Sequence, residues 1–182
     1  MAQSQEQPTE LNGLNLKKLG EIVEMGTKEP ETVGAQFNNW KARVKWLGGF
    51  RSRAYIRDHA FLIDEPSDLA GVDTSPNATE YILAALGACY SVGFALNATK
   101  RGIKVDAMEV ALEGRLNNVL TFFGLSDKGH PGYEEIKAKL FVKTSANEKQ
   151  VEEAWTETLA RSPVGNSLTR NVKITAQISV AK

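Results

Sequence analysis

The sequence predicts an α+β fold, with antiparallel strands packed on long apolar helix. Three observations carry that reading. Apolar and polar residues alternate at a period of two in several stretches, the mark of half-buried strands. One run, 77–102, instead keeps apolar residues at helical spacing for about seven turns. The elements come in the order α, βββ, long α, ββ, α, β, with no internal repeat and no linker.

Residues 1–13 are polar, contain Pro8 and Gly13, and read as a loose tail. Leu14, Leu16, Leu19, Ile22, Val23 and Met25 then predict a short amphipathic helix over 15–26, stopped by Gly26 and Pro30. The expected organisation is this tail and helix, 1–34, followed by one domain, 35–182. From Ala35 the period falls to two: Phe37, Trp40, Ala42, Val44 and Trp46 predict a strand. Gly48-Gly49 makes its turn, and strands over 50–57 and 60–63 complete an antiparallel meander. A loop over 64–75 holds Pro66, Gly71 and four acidic residues.

The long helix has clear ends. Ser75-Pro76 offers a cap with proline behind it, and Asn77 with Glu80 forms a capping-box pattern. Gly102 stops it, with Lys100 and Arg101 in the last turn, where cations suit the dipole. Val105, Ala107, Val110 and Leu112 alternate in a strand over 103–115, with a slip expected near Met108-Glu109. A connection over 117–131 carries Leu120, Phe122, Phe123 and Leu125, and a strand follows over 133–144. Asn147 caps a helix over 148–161 whose inner face is Val151, Ala154, Trp155 and Leu159. Residues 162–169 read as a loop, and 172–180 as the closing strand.

A chain of 182 residues is long enough to bury a core as one domain. Lys+Arg and Asp+Glu both number 22, so no net field attracts nucleic acid or an anionic membrane. A single cysteine forms no internal disulfide and fits a reducing cytosol. The N-terminus shows no signal peptide, and the apolar run 81–96 is too short for a membrane span, so the expected location is cytoplasmic.

Chemistry concentrates on Cys89, the lone thiol, near the middle of the long helix. Ile82, Ala85, Leu86, Cys89, Gly93 and Leu96 form a stripe with a small centre, which predicts close packing against a second helix, most economically its own copy in a homodimer. As pattern alone, Cys89 reads first as a small buried core residue. A reactive thiol would need a cation to hold its thiolate, and the candidates are Arg51, Arg53 and Arg57 on the second strand. A solvated strand face is the alternative for all three.

The segment PNATEYILAALGAC, Pro76 to Cys89, followed by Arg101-Gly102-Ile103, resembles the OsmC/Ohr family of osmotically induced and organic hydroperoxide resistance proteins. The loop DEPSDLAG before it, Asp64 to Gly71, and SPVGNSL, Ser162 to Leu168, are similar to the family's corresponding segments, and the resemblance runs from about Trp40 to the C-terminus. It implies an intertwined homodimer: two long central helices between sheets built from both chains, with active sites at the subunit interface. It implies that a cysteine matched by Cys89 attacks a peroxide, that Arg51 or Arg53 holds the thiolate, and that a glutamate near the helix start orients the arginine. Glu80 lies nine residues before Cys89, whereas the family glutamate lies ten before, where this chain has Thr79. A capping role for Glu80 stays open beside a catalytic one. Ser162 stands where the family's resolving cysteine stands, so the implied cycle uses Cys89 with an external thiol reductant.

Two expectations follow. The first is one-cysteine reduction of a small organic hydroperoxide without a cofactor; the second is a non-catalytic homodimer that binds a small apolar or thiol ligand at the subunit interface. His59 and His130 lie far apart with no ligand-spaced partners, so no structural zinc site is expected. Ser162 lacks a nucleophile elbow, and no phosphate loop is present. Trp40, Trp46 and Trp155 read as core residues.

Overall fold

A computed structural model describes residues 9–180. By contacts these divide into two compact units. One comprises the described residues up to Ala84 together with Leu112–Lys137, and the other Ala85–Ala111 with the described residues from Ala138 on.

In the first unit, β1 (Glu10–Leu11) pairs with β2 (Leu14–Asn15). Asn12 and Gly13 both take positive φ at the turn, the conformation that an Asn-Gly pair adopts most readily. The end of the expected loose tail is therefore a hairpin. Asn15 Oδ1 then accepts the Lys18 amide at 2.8 Å and caps α1 (Leu16–Lys28). Pro30 ends α1 but also opens α2 (Pro30–Phe37), since its fixed φ suits a first helical turn. Phe37 is thus helical, and the strand expected from Ala35 begins only at Arg43.

The meander is β3 (Arg43–Gly48), β4 (Arg51–Ile56) and β5 (His59–Ile63), antiparallel in that order. Val44 faces Ala54 and Lys45 faces Arg53, so Arg43, Lys45, Arg51, Arg53 and Tyr55 share one side. Gly48 and Gly49 turn the chain at φ of 109° and 57°. Trp40 and Trp46, expected in the core, are 71% and 70% exposed. Trp46 spends its indole N–H on the Gly49 carbonyl at 2.8 Å, which holds the ring over the turn.

Asp64 organises the following loop. Its side chain is buried and accepts the Glu65 amide at 2.9 Å, the Thr74 amide at 3.0 Å, the Thr74 hydroxyl at 2.7 Å and the Val72 amide at 3.4 Å. Burial alone would raise the carboxyl, but these donors, Thr74 foremost, outweigh it and hold the pKa at about 2. Gly71 is required here: a Cβ would overlap the Glu65 carbonyl. The long helix α3 (Ala78–Lys100) then starts with the expected capping box. Asn77 Oδ1 accepts the Glu80 amide, and Glu80 Oε2 accepts the Asn77 amide, both at 2.8 Å. Tyr81 donates to the Leu62 carbonyl at 2.7 Å, and Tyr133 to that of Thr79 at 2.9 Å.

β6 (Val105–Leu116) pairs with β7 (Tyr133–Thr144). The slip in β6 falls at Asp106-Ala107, both exposed, so Met108 rather than Ala107 turns inward. In the second unit, Phe94, Ala98, Ile103 and Ala154 are buried, with Met108, Leu140, Val142, Val151 and Trp155 packed around them. Complete burial of Phe94 contributes about 2–3 kcal/mol.

Gly93 serves this core: a Cβ there would stand 3.0 Å from the Thr158 methyl, so its smallness admits α4 (Glu148–Arg161). Along its middle α3 exposes Ile82, Ala84, Ala85, Ala88 and Val92; Ile82 and Ala85 belong to the expected stripe, whereas Leu86 is buried and Gly93 faces Thr158. On α4, Thr158 is buried and donates to the Ala154 carbonyl, while Leu159, expected inside, is 39% exposed. Residues 163–169 form a helix, α5 (Pro163–Thr169), where a loop was expected. No strand forms over 171–180. Its β-patterned residues Val172, Ile174, Ile178 and Val180 are 60–90% exposed, because a strand needs a partner and none of the described residues pairs with it.

Candidate active site

The site is built where α3, α4 and α5 meet in the second unit. Ser162 ends α4 and caps α5: its backbone carbonyl accepts the Asn166 amide at 2.9 Å, and its Oγ accepts the Gly165 amide at 3.0 Å. With a lone pair engaged by Gly165, the hydroxyl proton is free for Cys89, and Ser162 Oγ donates to Cys89 Sγ at 3.1 Å. Asn166 fastens the corner through its side-chain amide, which donates to the carbonyls of Ala160 and Ser162.

Cys89 is half-buried, and Ser162 is 3% exposed. Beside them Tyr90 packs edge-on to Trp155 at 5.4 Å, and Trp155 meets Phe94 at 6.4 Å. Burial pushes the Tyr90 phenol up, and negative charge on Cys89 pushes it further. Gly165 makes the fit possible, since a Cβ would lie 3.1 Å from the Tyr90 hydroxyl. The sulfur thus holds a hydroxyl donor beside an aromatic cluster. The arrangement offers a sulfur nucleophile with a fixed donor.

Of the expected site residues, Cys89 lies in this unit, with Ser162 against it. Arg51 and Arg53 lie in the other unit, exposed on one side of β4, and neither makes an ion pair among the described residues. Glu80 also belongs to the other unit, with one carboxylate oxygen given to the Asn77 amide. No three His, Cys, Asp or Glu side chains among the described residues cluster as a metal site. Tyr90 and Gly165 were not among the expected site residues, and Trp155 was expected only as a core residue. The signal for their corner was Ser162-Pro163, a cap followed by a first-turn proline.

The family model for OsmC-like proteins matches residues 71–177, a span that holds both Cys89 and Ser162. The chain belongs to the OsmC-like family. Solved structures agree on the fold. An OsmC-like protein from Mycoplasma pneumoniae is similar at a TM-score of 0.62 and 17% identity, over 71% of this chain and 86% of that one. An organic hydroperoxide resistance protein OsmC from Legionella pneumophila is similar at 0.53 and 16%, over 72% and 89%. One from Elizabethkingia anophelis is similar at 0.54 and 15%, over 73% and 89%. No curated protein matches the sequence. Within this OsmC-like chain, α3 is long and apolar enough to cross a membrane by length and composition, yet its Phe94 and Ala98 lie in the core of the second unit.

Proposed function

We propose that this OsmC-like protein reduces organic hydroperoxides by a one-cysteine route at Cys89, in the cytoplasm and as a homodimer. The observation that carries the reading is the Ser162 hydroxyl donating to Cys89 Sγ at 3.1 Å, inside the matched region. The names of the Legionella and Elizabethkingia relatives supply the substrate class. The thiolate attacks the distal peroxide oxygen: a sulfur–oxygen bond forms, the oxygen–oxygen bond breaks, and the alkoxide leaves as the alcohol after taking a proton. Cys89 is then a sulfenic acid. An external thiol condenses with it to a mixed disulfide and releases water; a second thiol restores Cys89 and leaves as the oxidised disulfide.

Ser162 positions the sulfur and takes no part in electron transfer. The cation for the thiolate comes in this reading from Arg51 or Arg53, both exposed on β4 and without an ion pair among the described residues. What supports the homodimer is the apolar surface the chain leaves open: Ala85, Ala88 and Val92 on α3, and the unpaired segment over 171–180. Exposing the protein to cumene hydroperoxide with dimedone, followed by peptide mass spectrometry, tests the first step. A dimedone adduct on Cys89 is expected; an unmodified Cys89 under conditions that modify a free cysteine peptide would contradict it. The competing reading, a fold kept for binding a small apolar or thiol ligand, draws on Ser162, which cannot form a disulfide.

A further inference from the structure

The corner between α4 and α5 holds more than the Ser162 hydroxyl. Pro163 fixes its own φ, but nothing in a Ser-Pro step fixes the angle at which α5 leaves α4. Four residues after Ser162 stands Asn166, a poor helix former inside a seven-residue helix. Its side chain reaches back across the corner: Nδ2 donates to the Ala160 carbonyl at 3.0 Å and to the Ser162 carbonyl at 2.8 Å. The first carbonyl lies in the last turn of α4, where the helix itself supplies no partner. The second belongs to the residue whose hydroxyl meets Cys89.

Arg170 fixes which way the amide faces. Its backbone leaves α5 in an extended conformation, and its Nε returns to donate to Asn166 Oδ1 at 2.9 Å. Both amide hydrogens of Asn166 are then on carbonyls and its oxygen is on a guanidinium, so a flipped amide would set oxygen against oxygen. The guanidinium makes no ion pair among the described residues, and its charge strengthens this bond.

We propose that Asn166, oriented by Arg170, is the positioning residue of the thiol site: it sets the angle between α4 and α5 at which the Ser162 hydroxyl reaches Cys89 Sγ. Both residues act through Ser162. The consequence for turnover rests on the hydroperoxide reading above, whereas the geometric assignment does not.

Alkylation of Cys89 by iodoacetamide in the full chain at pH 7 consumes the thiolate, and tests the assignment without peroxide. Asn166→Ala is expected to slow it about fivefold, the rate equivalent of one lost hydrogen bond. Ser162→Ala combined with Asn166→Ala is expected to react no more slowly than Ser162→Ala alone, because both changes remove the same bond. A general loosening of the fold would add its own effect instead. Arg170→Met is expected to slow alkylation less than Asn166→Ala does, and Arg170→Lys, which keeps a cationic donor, to restore most of the wild-type rate. A wild-type or faster rate in folded Asn166→Ala, or an equal further slowing in the Ser162→Ala background, would overturn the proposal. If Asn166→Ala does not fold, a wild-type rate in Arg170→Met overturns it. Wild-type protein that shows this alkylation pattern but no hydroperoxide turnover would remove the peroxidase reading and leave the positioning role standing.

Discussion

Ser162 and Cys89 lie 73 positions apart in the chain, yet the hydroxyl of one donates to the sulfur of the other at 3.1 Å. The same hydroxyl caps α5, so local helix formation and the position of the thiol depend on one atom.

Removing that atom has two separable effects. Ser162→Ala is expected to cost about 1 kcal/mol through the lost cap, and to slow alkylation of Cys89 by iodoacetamide several-fold at pH 7. Ser162→Cys places a second sulfur near the spacing that a disulfide requires, about 2.05 Å after small rotations. Peroxide treatment is expected to join the introduced thiol to Cys89, read as loss of both free thiols. A variant that keeps two free thiols after oxidation of Cys89 would show that the two side chains do not meet in solution.

Asp64 sets an acid limit. Its folded pKa of about 2 lies below the ordinary 3.8, so folding favours the carboxylate. The stabilisation is complete above pH 3.8 and is lost as the pH falls from there through about 2. Asp64→Asn turns an amide donor toward a ring of donors; it is expected to lower Tm at neutral pH and to flatten the fall of Tm below pH 4. Thermal melts from pH 6 to pH 2 measure both.

Tyr90 sets the corresponding alkaline behaviour with the opposite sign. Its folded pKa is raised, first by burial and then by charge on Cys89, so its contribution is present below pH 10 and lost as the pH rises through the folded value. Cys89→Ser removes the charge but keeps the burial. Ultraviolet titration is expected to show Tyr90 ionising at lower pH in that variant than in the wild type, and still above an exposed tyrosine.

The homodimer has its own test. Val92→Asp, or Ile174→Asp together with Ile178→Asp, puts charge on surfaces that are 71%, 87% and 90% exposed in the single chain. These changes are expected to leave each chain folded and convert a dimer to a monomer by light scattering at micromolar concentration. A wild-type monomer would contradict the dimer directly.

Elements whose signals are local were legible in the sequence. The long helix announced itself through Asn77, Glu80 and Gly102, and the meander through Gly48-Gly49 and alternation. Elements that depend on context were not. Pro30 read as a stop and Pro163 as part of a loop, yet each opens a helix, because a proline's fixed φ is preorganised for a first helical turn. Gly93 read as a face for a second copy, whereas Thr158, 65 positions away, needs the space. Residues 172–180 alternate as a strand should, but alternation records which residues prefer burial, not whether a partner strand is at hand. For the site, motif resemblance singled out Cys89 and Ser162; the aromatic wall of Tyr90 and Trp155 depends on how α3 and α4 pack, which no single segment encodes.

Consumption of cumene hydroperoxide in the presence of dithiothreitol, compared between wild type and Cys89→Ser, tests the proposed chemistry most directly. Wild-type turnover is expected to exceed that of the variant by at least about a hundredfold, the order of loss when a nucleophile is removed. Equal rates in the two proteins would contradict a catalytic Cys89 and leave the ligand-binding reading in its place.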